Sequence, residues 1–190
     1  MIQELTPHLE QLHGRLSGET EPLALTYLPQ IPSSPQDDKE SVAYTFRQEM
    51  AARWDQEKKR GMTLIGPHRE DCSFLLGQMD LDIYGSRGQQ RTATIALKLA
   101  QVEWLRVQSG ETPVVLLDDV LSELDPERQR YLQMWLLEGD CQVFVTTTTL
   151  ENFQPIALEQ GTVFRIEAGR WTPQGSHSPG GPSPEGPFED

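Results

Sequence analysis

The stretch VVLLDDVLSELD, Val114 to Asp125, constrains the fold more than any other. Its four leading apolar residues read as a fully buried strand of the parallel type, because a half-exposed strand alternates apolar and polar positions. The strand then runs into two adjacent aspartates. Neighbouring carboxylates repel each other and lose solvation on burial. At the carboxyl edge of an α/β sheet, where ligands bind, such a pair has a use. Successive strand residues point to opposite faces, so Asp118 and Asp119 need not share one role. A pair of solvated acids at the start of a loop is the alternative reading of these two residues alone.

The neighbouring segments place this strand in an α/β order. Residues 1–17 carry Ile2, Leu5, Leu9, Leu12 and Leu16 at helical spacing, and Leu23 to Leu28 reads as a strand. The prolines and polar residues of 29–41 predict a long surface loop. Val42, Phe46, Met50 and Trp54 mark the apolar face of a helix over 42–60 that Gly61 ends. Short strands are expected around Thr63–Ile65, Phe74–Leu76 and Leu81–Tyr84. A long helix follows, with Ala93, Leu97, Ala100, Trp104 and Val107 on one face and Gly110 closing it. After the Val114 strand, Asp125 caps a helix that Pro126 opens. CQVFVTTTT is a second buried strand, and TVFRIEAGRW a hairpin turning at Ala168-Gly169.

The chain has 190 residues and a formal net charge of −13. About 150 ordered residues suffice to bury roughly 70% of the unfolded surface. The acidic balance argues against a chain-wide nucleic-acid surface, since phosphate binding rests on Lys and Arg, but leaves room for a local basic strip. No run of about 18 apolar residues is present and the N-terminus does not read as a signal peptide. Cys72 and Cys141 lack metal-ligand spacing and read as packing thiols, with a reducing cytoplasm as the default. The Pro/Gly/Ser-rich residues 173–190 read as disordered.

Two further signals flank the acids. In YGSRGQQRTATIALKLA, Ser86 and Gly88 precede or open the long helix. Unpartnered amides and the dipole at a helix N-terminus favour an anion, though a plain Ser cap with a turn glycine explains the same residues. SELD, directly after the acids, is either a tight turn with a helix cap or part of the same site. The three signals in this order are far more specific than any one.

Together they resemble the C-terminal half of an ABC-type ATPase head: GSRGQQR the signature motif, VVLLDD the Walker B strand, and SELD the D-loop. TLIGPHRED, YGSRGQQRTATIALKLAQVE and PVVLLDDVLSELDPERQRYL are closer still to the RecF family of bacterial DNA-repair ATPases. The similarity runs from about Met1 to Trp171 and leaves out the tail. The resemblance implies an α/β fold: the C-terminal part of a P-loop NTPase-like parallel sheet, with part of a second helical and β lobe. Residues 1–62 would belong to that lobe and 63–172 to the ATPase head.

The resemblance also implies roles. Family members dimerise on ATP, each nucleotide lying between one protomer's phosphate loop and the other's signature motif. Ser86, Gly88 and Gln89 would contact the γ-phosphate held by the partner, and Asp118 would hold Mg²⁺. Asp119 would polarise the attacking water, where many relatives have a glutamate. Ser122 and Asp125 would lie in the D-loop at the dimer seam. Thr147 occupies the switch position, where many ABC enzymes have a histidine; it offers one hydroxyl and no titratable ring. The implied function is ATP-dependent binding of single-stranded and gapped DNA in replication, gap repair and the SOS response, promoting RecA loading with RecO and RecR. In GPHRED, His68 and Arg69 would face phosphate or DNA, or form a structural ion pair with Glu70 or Asp71; the structural reading is favoured. Lys58, Lys59 and Arg60 read as a solvated helix end that suits the dipole.

A Gly-x-x-x-x-Gly-Lys-Ser/Thr phosphate loop occurs nowhere in the sequence. The family carries that loop near its N-terminus, so the chain is expected to be a C-terminal portion and to hydrolyse ATP negligibly by itself. Two other readings remain: a head fragment of another SMC-like ATPase, and a non-hydrolysing docking module. SMC-like heads adjoin long heptad coiled coils, whereas the helix over 42–60 is short.

Overall fold

A computed structural model of the chain describes residues 1–18, 22–31 and 37–174. It divides into two units, Met1–Pro113 and the residues from Val114 onward.

The first unit opens with α1 (Ile2–Ser17), whose Leu5, Leu9, Leu12 and Leu16 are all buried. Each such leucine contributes about 1.5–3 kcal/mol. Strand β1 (Leu23–Leu28) pairs antiparallel with β2 (Asp71–Leu76), from Leu23↔Leu76 to Leu28↔Asp71, and β2 pairs with the short β3 (Met79–Asp80). Between β1 and β2 in sequence lies α2 (Lys39–Arg60). It starts inside the segment expected as a loop, because the Asp38 carboxylate caps it by accepting from Ser41 N–H at 2.7 Å. Gly61 ends it as expected, in the left-handed region. The expected apolar face is not buried: no residue of α2 is, and Trp54 is 63% exposed. The spacing is helical, but the face is only partly covered: Val42 and Phe46 are half-buried, and Met50 and Trp54 are exposed.

Two expected strands are absent. Thr63–Ile65 lies in a bend, and Leu81–Tyr84 is the one-turn helix α3, which the Asp80 carboxylate caps through Asp82 N–H. The apolar content suited either period, and the Asp cap decides for the helix. Gly85 then turns the chain where a Cβ would lie 2.5 Å from the Leu81 carbonyl oxygen. The long helix α4 (Arg87–Ser109) follows and packs on α1. Its buried residues are Thr92, Ala93, Ala96, Leu99 and Ala100, a face rotated from the one expected, and Val107 is exposed. The Trp104 indole N–H donates to Glu4 at 2.9 Å, which with the nearby N-terminal ammonium holds the Glu4 carboxyl below its ordinary value.

In the second unit, β4 (Val115–Asp118) and β5 (Val143–Thr146) pair in parallel, Val115 opposite Val143 and Asp118 opposite Thr146. Helix α5 (Pro126–Glu138) links them. The parallel pairing agrees with expectation, but the burial does not. Leu116 and Phe144, cross-strand neighbours, are 73% and 54% exposed. Burying a parallel strand requires cover on both faces, and the two-stranded pair lacks it among the described residues. Helix α6 (Pro155–Gln160) leads into the hairpin β6 (Val163–Glu167) and β7 (Arg170–Gln174), which turns at Ala168-Gly169 as expected. Phe164 and Trp171 meet edge to face across it. Pro173 and Gln174, read as tail, belong to β7; residues 175–190 lie outside the described residues.

Candidate functional site

Asp118 is the last residue of β4, and Asp119 stands just beyond it in the left-handed region, φ 49° and ψ 25°. Aspartate tolerates that conformation better than most residues. Strand alternation therefore stops at Asp118, and the two acids are not simply on opposite faces.

One side chain meets both acids. The Thr146 hydroxyl donates to Asp118 Oδ1 at 2.5 Å. The Asp119 N–H donates to the same hydroxyl oxygen at 3.1 Å and to the Thr146 carbonyl at 3.2 Å. The Ser122 hydroxyl then reaches Asp119 Oδ2 at 2.9 Å and its carbonyl at 2.8 Å. Asp119 Oδ1 is buried without a hydrogen-bond partner. Such an orphaned acceptor is costly unless something binds it.

Glutamines on α5 brace this edge. Gln129 Nε2 donates to the carbonyls of Leu121 and Leu124, pinning the 3-10 turn Val120–Glu123. Gln133, 2% exposed, donates to the carbonyls of Gln129 and Asn152 and accepts from Gln154 N–H. Asp125 caps α5 as expected, accepting from Glu127 N–H and Arg128 N–H, with the Arg128 guanidinium at 3.3 Å. The Arg128 N–H bond leads the causes that lower its carboxyl below the ordinary value. Thr147, the expected switch residue, spends its hydroxyl on Thr149 in its own turn. Sequence reasoning missed Thr146, Gln129 and Gln133. Aligning the carboxyl ends of the two expected parallel strands would have put Thr146 beside Asp118.

In the first unit, Ser86 and Gln89 close a capping box. Ser86 Oγ accepts from Gln89 N–H at 3.2 Å, and Gln89 Oε1 accepts from Ser86 N–H at 3.0 Å. An oxygen on each side chain is thus used within the box, while the Ser86 O–H and the Gln89 side-chain N–H groups remain as donors. With Gly88 in the first turn, where helix amides lack partners, the helix start offers donors only, which suits an anion. Gln90 braces it by donating to the Leu81 carbonyl at 2.7 Å.

GPHRED forms a tight turn. Gly66, φ 149°, sits against the His68 ring, and His68 Nε2 bonds the Thr63 hydroxyl at 2.8 Å. Tyr27 O–H donates to Glu70, and Asp71 accepts from Cys72 N–H. The favoured ion pair is absent: both acids are engaged elsewhere, and Arg69 is exposed with no partner among the described residues. Lys58, Lys59 and Arg60 are exposed, as expected of a solvated helix end. Cys72, expected to pack, is also exposed.

No family model matches the chain. Individual relatives do: it is 39% identical over 168 residues, 88% of its length, to the DNA replication and repair protein RecF of Halalkalibacterium halodurans. The chain belongs to the RecF family. It is also 41% identical to RecF of Microcystis aeruginosa over 89% of its length. It spans about 45% of the length of these curated relatives, corresponding to their C-terminal portion. A solved structure described as the recombination mediator protein RecF-ATP in the RecFOR pathway superposes with a TM-score of 0.69 at 29% identity. That match covers 91% of this chain and 44% of the other. A structure described as showing ATP-driven dimerisation and DNA-stimulated activation of SMC ATPases matches at TM-score 0.51 and 11% identity, a likeness of fold alone. The α/β fold expected from the sequence, the C-terminal part of an ABC-type ATPase head, is therefore the fold of this RecF-family chain. Among the described residues no helix is long and apolar enough to cross a membrane.

The residues present fit the Mg²⁺ that the fold family implies. Among the described residues no three His, Cys, Asp or Glu side chains gather as a metal cage. Mg²⁺ does not need one: it takes one or two carboxylates and completes its shell with water and phosphate oxygens. Asp118 is a carboxylate of that kind, and the orphaned Asp119 Oδ1 beside it is an acceptor for a water.

Proposed function

We propose that this RecF-family chain supplies the signature, Walker B and D-loop parts of an ATPase that acts at single-stranded and gapped DNA in replication and repair. The observation that carries the reading is the carboxylate pair at the carboxyl edge of β4–β5, with Asp119 Oδ1 buried and unpartnered. Residues 63–172 serve as the head portion and 1–62 as part of a second lobe. Asp118 holds Mg²⁺, and Asp119 orients and polarises the attacking water. Bound there, the metal would neutralise charge developing on the phosphate oxygens. Ser86, Gly88 and Gln89 donate to the γ-phosphate of ATP held by a partner head. Ser122 and Asp125 lie at the seam, and Thr147 lines the switch position. RecO and RecR act with it in loading RecA, in the cytoplasm and within the SOS response. The RecF relatives at 39% identity, against 11% for the SMC head, favour this reading over another SMC-like head.

The test mixes the chain with the part of a RecF relative it does not cover, which brings the phosphate loop. Sedimentation should show ATP-dependent dimers of the reconstituted head, and Ser86→Arg should abolish them. An unaffected dimer would remove Ser86 from the site.

A further inference from the structure

The two acids of the proposed hydrolytic site are not hydrogen-bonded to the expected switch residue, Thr147, whose hydroxyl bonds Thr149. They touch the residue before Thr147. We infer that Thr146 is a positioning residue for hydrolysis, fixing Asp118 and Asp119 through one hydroxyl group. The inference rests on the reading of those acids as the Mg²⁺ and water ligands.

The direction of the hydrogen bonds is forced. A backbone N–H can only donate, so the Asp119 amide at 3.1 Å makes the Thr146 oxygen an acceptor. The single hydroxyl proton is left for Asp118 Oδ1, at 2.5 Å. Asp118 thereby has one oxygen occupied and the other left to face a metal or its water. The Asp119 amide is held from two sides, by the Thr146 hydroxyl and the Thr146 carbonyl at 3.2 Å. Those two bonds support a left-handed backbone that is ordinarily strained in a residue other than glycine. Ser122 holds Asp119 Oδ2. The remaining oxygen, Oδ1, is the buried one with no partner. The chain of bonds Asp118–Thr146–Asp119–Ser122 therefore leaves an acceptor on each acid for the reaction and fixes the rest.

Strand register makes the contact dependable. Asp118 and Thr146 are direct partners in the parallel ladder, so the hydroxyl is delivered by backbone pairing. Valine has the shape of threonine and suits a strand equally well. Serine keeps the hydroxyl and loses only the methyl. The pair of substitutions separates hydrogen bonding from packing.

The experiment uses the chain reconstituted with the phosphate-loop-bearing part of a RecF relative. At saturating Mg²⁺, Thr146→Val should lower kcat for ATP about 10–100-fold, the range for hydrogen-bond partners of metal ligands, with little change in the KM for ATP. Binding of Mn²⁺ with a non-hydrolysable nucleotide, read by electron paramagnetic resonance, should weaken over a similar range. Thr146→Ser should restore both. Should Thr146→Val fail to fold, Thr146→Ala against Thr146→Ser supplies the same contrast. Equal loss in the serine and valine variants would overturn the inference, as would a valine variant with wild-type kcat and Mn²⁺ affinity. Either result with Ser86-dependent assembly intact leaves the proposed function standing; a wild-type complex that neither assembles nor binds Mn²⁺-nucleotide sinks both.

Discussion

The start of α4 and the end of β4 each carry residues proposed to act on ATP, and the two groups are held in place by different means. At the helix start, Ser86 and Gln89 bond to each other across three residues, and the box is complete within one turn. At the strand end, Ser122 holds one Asp119 oxygen locally, but the bonds to Asp118 and to the Asp119 amide come from Thr146, 28 and 27 residues away. The first arrangement is built by local sequence. The second exists only after two strands have paired in the correct register. Local capping survives small perturbations of the fold; the acid cluster depends on the whole β4–α5–β5 connection.

The largest test of that contrast falls on Asp119. Asp119→Asn keeps the shape and the Ser122 contact but removes the negative charge. In the reconstituted head, turnover should fall about 10²–10⁴-fold, the range for loss of a positioned base. ATP-dependent assembly should persist, because the helix start is untouched. Assembly lost together with turnover would show that the two parts are not separable in this way.

A smaller effect tests the brace behind the acids. Gln133 is buried and satisfies three backbone groups with one amide. Gln133→Leu fills similar space but strands the Gln154 N–H and the Asn152 carbonyl. The cost should be about 1–3 kcal/mol in chemical denaturation of the chain, the desolvation penalty of groups left unpaired. A neutral outcome would mean that the loop after β5 finds other partners, and the acid edge is less rigid than its bonds suggest.

This same contrast explains what was legible in the sequence. The caps of α4 and α5 and the stop of α4 were readable because Ser86, Asp125 and Gly110 act on neighbours within a turn. Hairpin and parallel pairing were readable from strand length and turn residues. Burial was not. Val114–Leu117 has the composition of a covered strand, yet Leu116 is exposed. The apolar face of α2 is likewise correct in spacing, yet Met50 and Trp54 on it are exposed. Composition states what a surface can bury, and only its neighbours decide whether it does. Thr146 escaped notice for the same reason: in VFVTTTT nothing local distinguishes it from Thr147, and the register across β4 selects it.

The smallest effect returns to local structure and carries a pH signature. Asp125 caps α5, and bonds from backbone N–H groups, chiefly that of Arg128, lower its carboxyl below the ordinary value. A carboxylate with a lowered folded-state value stabilises the fold above the unfolded value, about 3.9. That contribution is lost as the pH falls through the lowered native value. Asp125→Ala should therefore cost about 1 kcal/mol at neutral pH. The deficit against the wild type should shrink in acid, as protonation removes the carboxylate from the cap. Asp125→Asn keeps an oxygen acceptor without the charge, so its advantage over alanine should persist at both pH values. The charged part of the wild-type cap is exposed and screened by solvent, which keeps the whole effect small. Thermal unfolding of the three proteins at neutral and acidic pH measures it. An alanine deficit that stays constant with pH would show that the cap works through geometry alone. The local half of the comparison would then owe nothing to charge.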